Sequence, residues 1–246
     1  MNNFLAIFII LSLNGKIFQS TRVKKLPQLI ADNTFLIKKN AEPKSEFEVS
    51  FDEFKNSLLM NNFSEPTWHQ YANFTFYLKI TNSIQTKREA GMFLAQIIHE
   101  SMGLKFKKEI VCKKNECAGS YPVTPGIGNP HKFYYGRGYI QLTWDFNYKE
   151  ASFDLFNDDR LIQDPDQVAD KEEVSWLSAF WFWETKVSID TGVKMGNFGS
   201  STNRINGILE CRGHNLEKAR KRFEYYTTIL KIFEINEKPK ESGCYN

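Results

Sequence analysis

The chain has 246 residues, enough for one large domain or two small ones with a real core. Charge is +3 with both signs interspersed, and no basic block or nucleic-acid motif occurs, so nucleic acid is not the expected partner. Aromatics reach 15%, with 21 Phe and 10 Tyr, which suits a large core or a groove lined with rings.

Residues 1–20 read as a secretory signal. Phe4 to Leu13 is an apolar run too short to span a bilayer and about right for the core of a leader. The n-region lacks Lys or Arg, and cleavage near Gly15 or Ser20 follows a poor pattern; an uncleaved anchor is the rival reading. Residues 21–45 are polar, basic and then Pro-containing, the composition of a tail or linker. The folded domain is expected over 46–246. Phe51, Phe54, Leu58 and Leu59 have helical spacing, with Ser50 and Glu53 placed as a capping box. Two glycosylation sequons occur, at Asn62 and Asn73.

The stretch 89–104 carries apolar residues at Ala90, Phe93, Leu94, Ile97 and Ile98, the spacing of a helix with one buried face. Gly103 is a stop signal. Glu100 projects from the buried side near the helix end. A carboxylate there is costly unless it is paired or used. A Glu at a frayed, half-exposed helix end is the plainer reading of this helix alone.

Four cysteines follow: Cys112, Cys117, Cys211 and Cys244. An even count behind a leader favours disulfides, and four cysteines allow three pairings. The simplest joins Cys112 to Cys117 and Cys211 to Cys244. A zinc site is the rival, but the spacing is not CxxC, and His214 is the only His near any of them in sequence. Residues 119–132 form a loop dense in Gly and Pro. Gly136 and Gly138 flank Arg137, so the backbone there turns sharply or approaches something closely. Gln141, Thr143 and Asn147 recur among aromatics, as in a surface that stacks on sugars and hydrogen-bonds them. An amphipathic segment with core rings is the plainer alternative.

Leu161 to Lys186 is expected to be mostly helical, broken at Asp164-Pro-Asp166, with Asp170 capping the helix after the break. Val174, Leu177, Phe180, Trp181 and Trp183 give too many rings for one face, which marks a central buried helix. Core is the expected place of Trp183. Phe198 to Thr202 reads as a turn into the next helix. Glu217 to Ile232 reads as a basic helix, and Lys238 to Asn246 as a polar tail that Cys244 tethers.

The runs Phe93-Leu-Ala-Gln-Ile-Ile-His-Glu-Ser101, Tyr134-Tyr-Gly-Arg-Gly-Tyr-Ile-Gln-Leu-Thr-Trp144 and Phe146-Asn-Tyr148 resemble the chitinases of glycoside hydrolase family 19. Leu161-Ile-Gln-Asp-Pro-Asp-Gln-Val168, Ala179-Phe-Trp-Phe-Trp183 and Thr202-Asn-Arg-Ile-Asn-Gly-Ile-Leu-Glu-Cys211 fit in the same order. The resemblance covers about 46–246, and an ordered set is far more specific than one motif. It implies a mainly α-helical, lysozyme-like fold of two lobes around a long cleft. It implies inverting endo-hydrolysis of β-1,4-linked N-acetylglucosamine polymer by two glutamates, with no metal or organic cofactor.

The resemblance makes Glu100 the proton donor. Compact bacterial members place the base nine residues on, which here is Glu109; Glu116 is the rival and Glu150 a distant third. Lys105, Lys107, Lys108 and Arg222 are candidates to keep Glu109 ionised. Thr143 matches a family Ser that holds the catalytic water. Gln141 and Asn147 match substrate-contacting amides, Phe146 stands where many members have Tyr, and Tyr134 and Asn206 complete the substrate contacts. Glu210 and Arg222 match a polar group on the far wall, with Arg222 fixing the base. The partners implied are chitin or its oligosaccharides, met outside the cell by a monomer with no membrane contact once the leader is removed. A hydrolase of peptidoglycan or another aminosugar polymer, a catalytically silent chitin-binding relative and a structural wall protein are the alternative readings.

Overall fold

The computed structural model describes residues 47–246 apart from Asn82 and His214, and of Lys113 only the backbone. The stretches expected as leader and linker, and His214, lie outside the described residues. The described part is mainly α, as the sequence predicts. It contains ten α-helices, and its only β-pairings are isolated bridges.

Helix α1, Phe51–Leu59, begins with the expected capping box: the Glu53 amide donates to Ser50 Oγ at 3.2 Å, and the Ser50 amide to Glu53 Oε2 at 2.7 Å. A second box, Thr67 with Gln70, starts α2, Trp68–Ile80. Helix α3, Lys87–Ser101, is capped by Thr86 and buries ten of its 15 residues. The sequence places its stop at Gly103, but the helix ends at Ser101, because Met102, Gly103 and Leu104 all take left-handed backbone (φ 49°, 70° and 64°). Gly103 is required there twice over. Its φ is positive, and a Cβ would lie 2.4 Å from Cγ of Phe63.

After a long irregular stretch come α4 (Asp145–Phe156), α5 (Arg160–Gln163), α6 (Gln167–Asp170) and α7 (Glu172–Phe182), which runs on into a π turn, Trp183–Val187. The break at Asp164-Pro-Asp166 is as expected. Asp170 does not cap α7: Lys171 holds that position without a side-chain bond, and Asp170 pairs instead with Lys108 at 3.2 Å. Helix α7 buries eight of its 11 residues, as a central helix must. Its rings interlock with α2 and α3: Phe93 lies 4.6 Å from Phe180, and Phe74 5.5 Å from Trp176. Trp183 is fully buried, with its indole N–H donated to Glu89 at 2.9 Å.

Helices α8 (Thr191–Lys194), α9 (Phe198–Glu210) and α10 (Leu216–Ile232) complete the fold. Phe198 to Thr202 is the first turn of α9 and not a turn before it, because Asn197 occupies the N-cap. Helix α10 lies along α3, where Gly91 lets the two approach; a Cβ there would touch Ile229 at 3.4 Å. Both bridges, Cys112–Cys117 and Cys211–Cys244, form as expected.

Candidate active site

Helix α3 delivers Glu100 one residue before its end. Gln96 sits one turn earlier on the same face, and α10 places Arg222 beside both. The Arg222 guanidinium donates to Glu100 Oε1 at 2.5 Å, to Gln96 Oε1 at 2.8 Å, and through Nε and Nη2 to both oxygens of Glu210 at 2.7 Å. The Arg222 and Glu210 side chains are 1% and 2% exposed, whereas Glu100 is 16% exposed. Glu210 also accepts from Asn206 at 2.8 Å, and Gln96 donates to Ser201 and Thr202. Asn206 itself has non-helical backbone (φ −144°, ψ 35°), a kink within α9.

This overturns one expectation. Arg222 fixes Glu100 and Glu210, not Glu109, because α10 packs along α3. Burial alone would raise Glu210, but the hydrogen bonds and charge of Arg222 hold it below the usual carboxylate range. Arg222 in turn is raised: burial works against its charge, but Glu100 and Glu210 outweigh it. Next to Glu100, burial and then the Arg222 charge push His99 down to about 3, so it is neutral at ordinary pH.

Glu109 reaches the site by a different route. Past the three left-handed residues, 107–109 pair with 136–138: the Glu109 amide donates to Gly136 O and the Gly138 amide to Lys107 O, both at 2.9 Å. The close approach expected at this Gly-Arg-Gly is real. A Cβ on Gly136 would lie 3.4 Å from Glu109 Oε2, and one on Gly138 3.0 Å from Val168. Arg137 is buried between them. It donates to Phe133 O at 2.7 Å and to Asp166 at 3.1 Å, and stacks on Tyr135.

The Glu109 carboxylate accepts from the Tyr121 hydroxyl at 3.0 and 2.9 Å and from the Gly136 amide at 3.1 Å. Burial and the neighbouring carboxylate push Tyr121 up to about 12, so it stays a donor. The expected lysines do not serve Glu109. Lys107 pairs with Glu172 at 3.1 Å, Lys108 with Asp166 at 2.8 Å, and exposed Lys105 lies over the Phe106 ring. Of the rivals, Glu116 is exposed and does not line the cavity, and Glu150 pairs with Lys186 at 2.6 Å. Glu109 and the sulfurs of Cys112 and Cys117 lie within 4.8 Å of one another, but both sulfurs are committed to their bridge.

Glu100 and Glu109 open onto one cavity of about 520 Å³. Gln141, Thr143, Asn147 and Asn206 line it with them, as the sequence predicts; Tyr121, Trp144, Ile140, Phe182, Ile205 and Leu209 complete the walls. A chain of backbone contacts sets the amides: Gln141 Nε2 donates to Gly138 O, Thr143 Oγ1 to Gln141 O and Asn147 Nδ2 to Thr143 O, all at 2.8–2.9 Å. Phe146, expected among the substrate contacts, is not one of the lining residues; it is 47% exposed and lies parallel to the lining ring Trp144, with centroids 6.3 Å apart. Tyr134 is not brought to the cleft. It is fully buried, its hydroxyl accepting from the Asn129 amide and donating to Ile162 O. Sequence reasoning missed Tyr121, hidden in the Gly/Pro loop, and Gln96, which its spacing of four from Glu100 would have revealed.

A helical fold whose cavity sets two glutamates in different environments, among amides, hydroxyls and rings, defines the structural class of the lysozyme-like glycoside hydrolases. Within that class the chain belongs to the chitinase class I family, glycoside hydrolase family 19, whose sequence pattern matches residues 70–241. An endochitinase of Arabidopsis thaliana is 42% identical over 153 residues, covering 61% of this chain and 49% of that protein. Chitinase 5 of Oryza sativa subsp. japonica is 32% identical over 174 residues, covering 68% and 55%. The chain thus spans about half the length of the curated relatives it matches. The crystal structure of chitinase C from Streptomyces griseus superposes with a TM-score of 0.64 and 30% identity over 81% of each chain. The class IV chitinase of Zea mays, at 22% identity and a TM-score of 0.54 over 87% of this chain and 96% of that one, shares the fold.

Proposed function

We propose that this chain hydrolyses β-1,4-linked N-acetylglucosamine polymer internally and with inversion, Glu100 giving the proton and Glu109 activating the water. One observation carries the reading: the two glutamates share a cavity but have different partners. Glu100 is held through one oxygen by Arg222, whose charge Glu210 already balances. The Arg222–Glu210 pair is therefore neutral whether or not Glu100 carries its proton. Glu109 receives donors from Tyr121 and Gly136, which suits a carboxylate that must accept a proton from water.

In this mechanism Glu100 protonates the glycosidic oxygen as the bond to the anomeric carbon breaks. Glu109 takes a proton from a water that attacks the opposite face. Inverting enzymes keep the two carboxyls about 6.5–9.5 Å apart to admit that water. Thr143 donates its hydroxyl proton to Gln141 O and so turns its lone pairs to the water. Gln141, Asn147 and Asn206 hold the sugar's polar groups, and Trp144 with Phe146 offers ring faces to it.

Residues 1–20 and 21–45 are read as leader and linker ahead of the catalytic domain, giving a secreted monomer. The two disulfides fit an oxidising compartment. No described helix is long and apolar enough to cross a membrane.

The test is product analysis on soluble chitin oligomers, with proton NMR of the first anomer released. Inversion is expected, and Glu100→Gln and Glu109→Gln are each expected to abolish turnover while leaving binding in place. Retention of configuration, or near wild-type turnover by Glu100→Gln, would sink the reading. Turnover of bacterial cell wall in place of chitin would move the substrate to peptidoglycan.

A further inference from the structure

The bridge Cys112–Cys117 closes a loop whose two ends carry Glu109 and its hydroxyl donor. Glu109 lies three residues before Cys112, and Tyr121 four after Cys117. The Cys112 amide donates to Glu109 O at 3.1 Å, the Glu116 amide to Cys112 O at 2.8 Å and the Ser120 amide to Cys117 O at 2.9 Å, so each end is hydrogen-bonded onto the bridged segment. The segment is under backbone strain: Glu116 and Cys117 are consecutive non-glycine residues with φ of 52° and 53°. Both cysteines are buried and form a small cluster with Tyr135, on which Tyr121 packs. The Glu109 carboxylate lies within 4.8 Å of both sulfurs. Tyr121 also meets the cleft ring Trp144 edge-on at 5.2 Å.

A loop closed over a sequence separation of five, with two consecutive left-handed residues, relaxes when its covalent closure is removed. Relaxation loosens the register of the two ends, because without the bridge they are joined by weaker contacts: the backbone hydrogen bonds of the segment, the packing of Tyr121 on the cysteine cluster and the Tyr121–Glu109 hydrogen bond. The helical core is elsewhere: the cysteine cluster is separate from the main core around α3 and α7.

We propose that the Cys112–Cys117 bridge is a positioning element for the reaction, holding Tyr121 against Glu109 so that the base keeps one orientation, and not a support of the fold. The inference rests on Glu109 being the base. Four variants test it: Cys112→Ser/Cys117→Ser, Tyr121→Phe, the three changes together, and Glu109→Gln as control. Kinetics on a soluble chitin oligomer are read beside helical circular dichroism. The bridge variant is expected to stay helical at the assay temperature and to lose about tenfold or more in kcat with KM within about twofold. Tyr121→Phe is expected to cost about tenfold in the parent but under about twofold without the bridge, because the contact is already lost. Unchanged kcat in the bridge variant, losses that simply multiply, or loss of helicity would each overturn the inference. Full turnover by Glu109→Gln would instead defeat the reading of the base. An inactive Glu109→Gln beside a fully active bridge variant would defeat the positioning role alone.

Discussion

Arg222 donates to Glu100 across 2.5 Å from the same Nη2 that, together with Nε, grips Glu210. The orientation of the Glu100 carboxyl is therefore set by a buried ion pair between two helices, α9 and α10, neither of which carries Glu100. Removing the cation leaves Glu210 buried and uncompensated. Arg222→Met should cost about 3–5 kcal/mol of stability, read from urea unfolding. The double change Arg222→Met with Glu210→Met should recover most of that stability but not the turnover. Recovery of both would show that the pair is scaffold only.

Thr143 separates a hydroxyl effect from a packing effect. Thr143→Ser keeps the donor to Gln141 O and should retain turnover within a few-fold. Thr143→Val keeps the shape, loses the hydroxyl, and should lower kcat by about 10²-fold with little change in KM. Equal activity of the two variants would remove Thr143 from the water site.

His99 makes stability depend on pH. Its pKa falls from about 6.5 unfolded to about 3 folded, so below pH 6.5 the unfolded chain binds a proton that the folded chain refuses. Its contribution is complete above pH 6.5 and is lost as pH falls toward 3, by up to about 1.4 kcal/mol per unit. Urea midpoints at pH 7 and pH 5 should show the slope, and His99→Gln should flatten it.

Tyr226 carries a buried hydroxyl with no hydrogen-bond partner among the described residues, while its ring stacks on Phe198 at 4.6 Å. Tyr226→Phe keeps the stack and deletes the unmet donor. Thermal unfolding should show a gain of about 0.5–1 kcal/mol; a clear loss would reveal a partner for that oxygen.

What the sequence disclosed is what short-range rules govern. The Ser50–Glu53 box, the buried face of α3 that carries Glu100, and the bridge between Cys112 and Cys117, five residues apart, need only local spacing. The ring-rich segment is central, as expected, because Val174, Leu177, Phe180, Trp181 and Trp183 are too many for one face, and all five are buried. The partners of charges were not legible. Lys107 finds Glu172, and Lys108 finds Asp166, across some sixty residues, and only the packing of α6 and α7 under the 136–138 segment brings them close. Arg222 is expected at Glu109 but stands at Glu100 and Glu210 for the same reason: its neighbour is decided by α10 lying along α3. Tyr134 looked like a cleft ring because the motif around it lines the cleft. Its hydroxyl is instead taken up inside the protein by the Asn129 amide and Ile162 O, and Tyr121 from an unpatterned loop takes a place beside Glu109.

The three left-handed residues after Ser101 also set a trade-off. Only the middle one is glycine, so Met102 and Leu104 hold torsions that cost about 1 kcal/mol or more each. Glycine at 102 would relax the backbone and also give the segment between Glu100 and Glu109 new freedom. The stiffness of this corner lies in the backbone and not in the depth of the core, and it confines the path from Glu100 to Glu109 to one course.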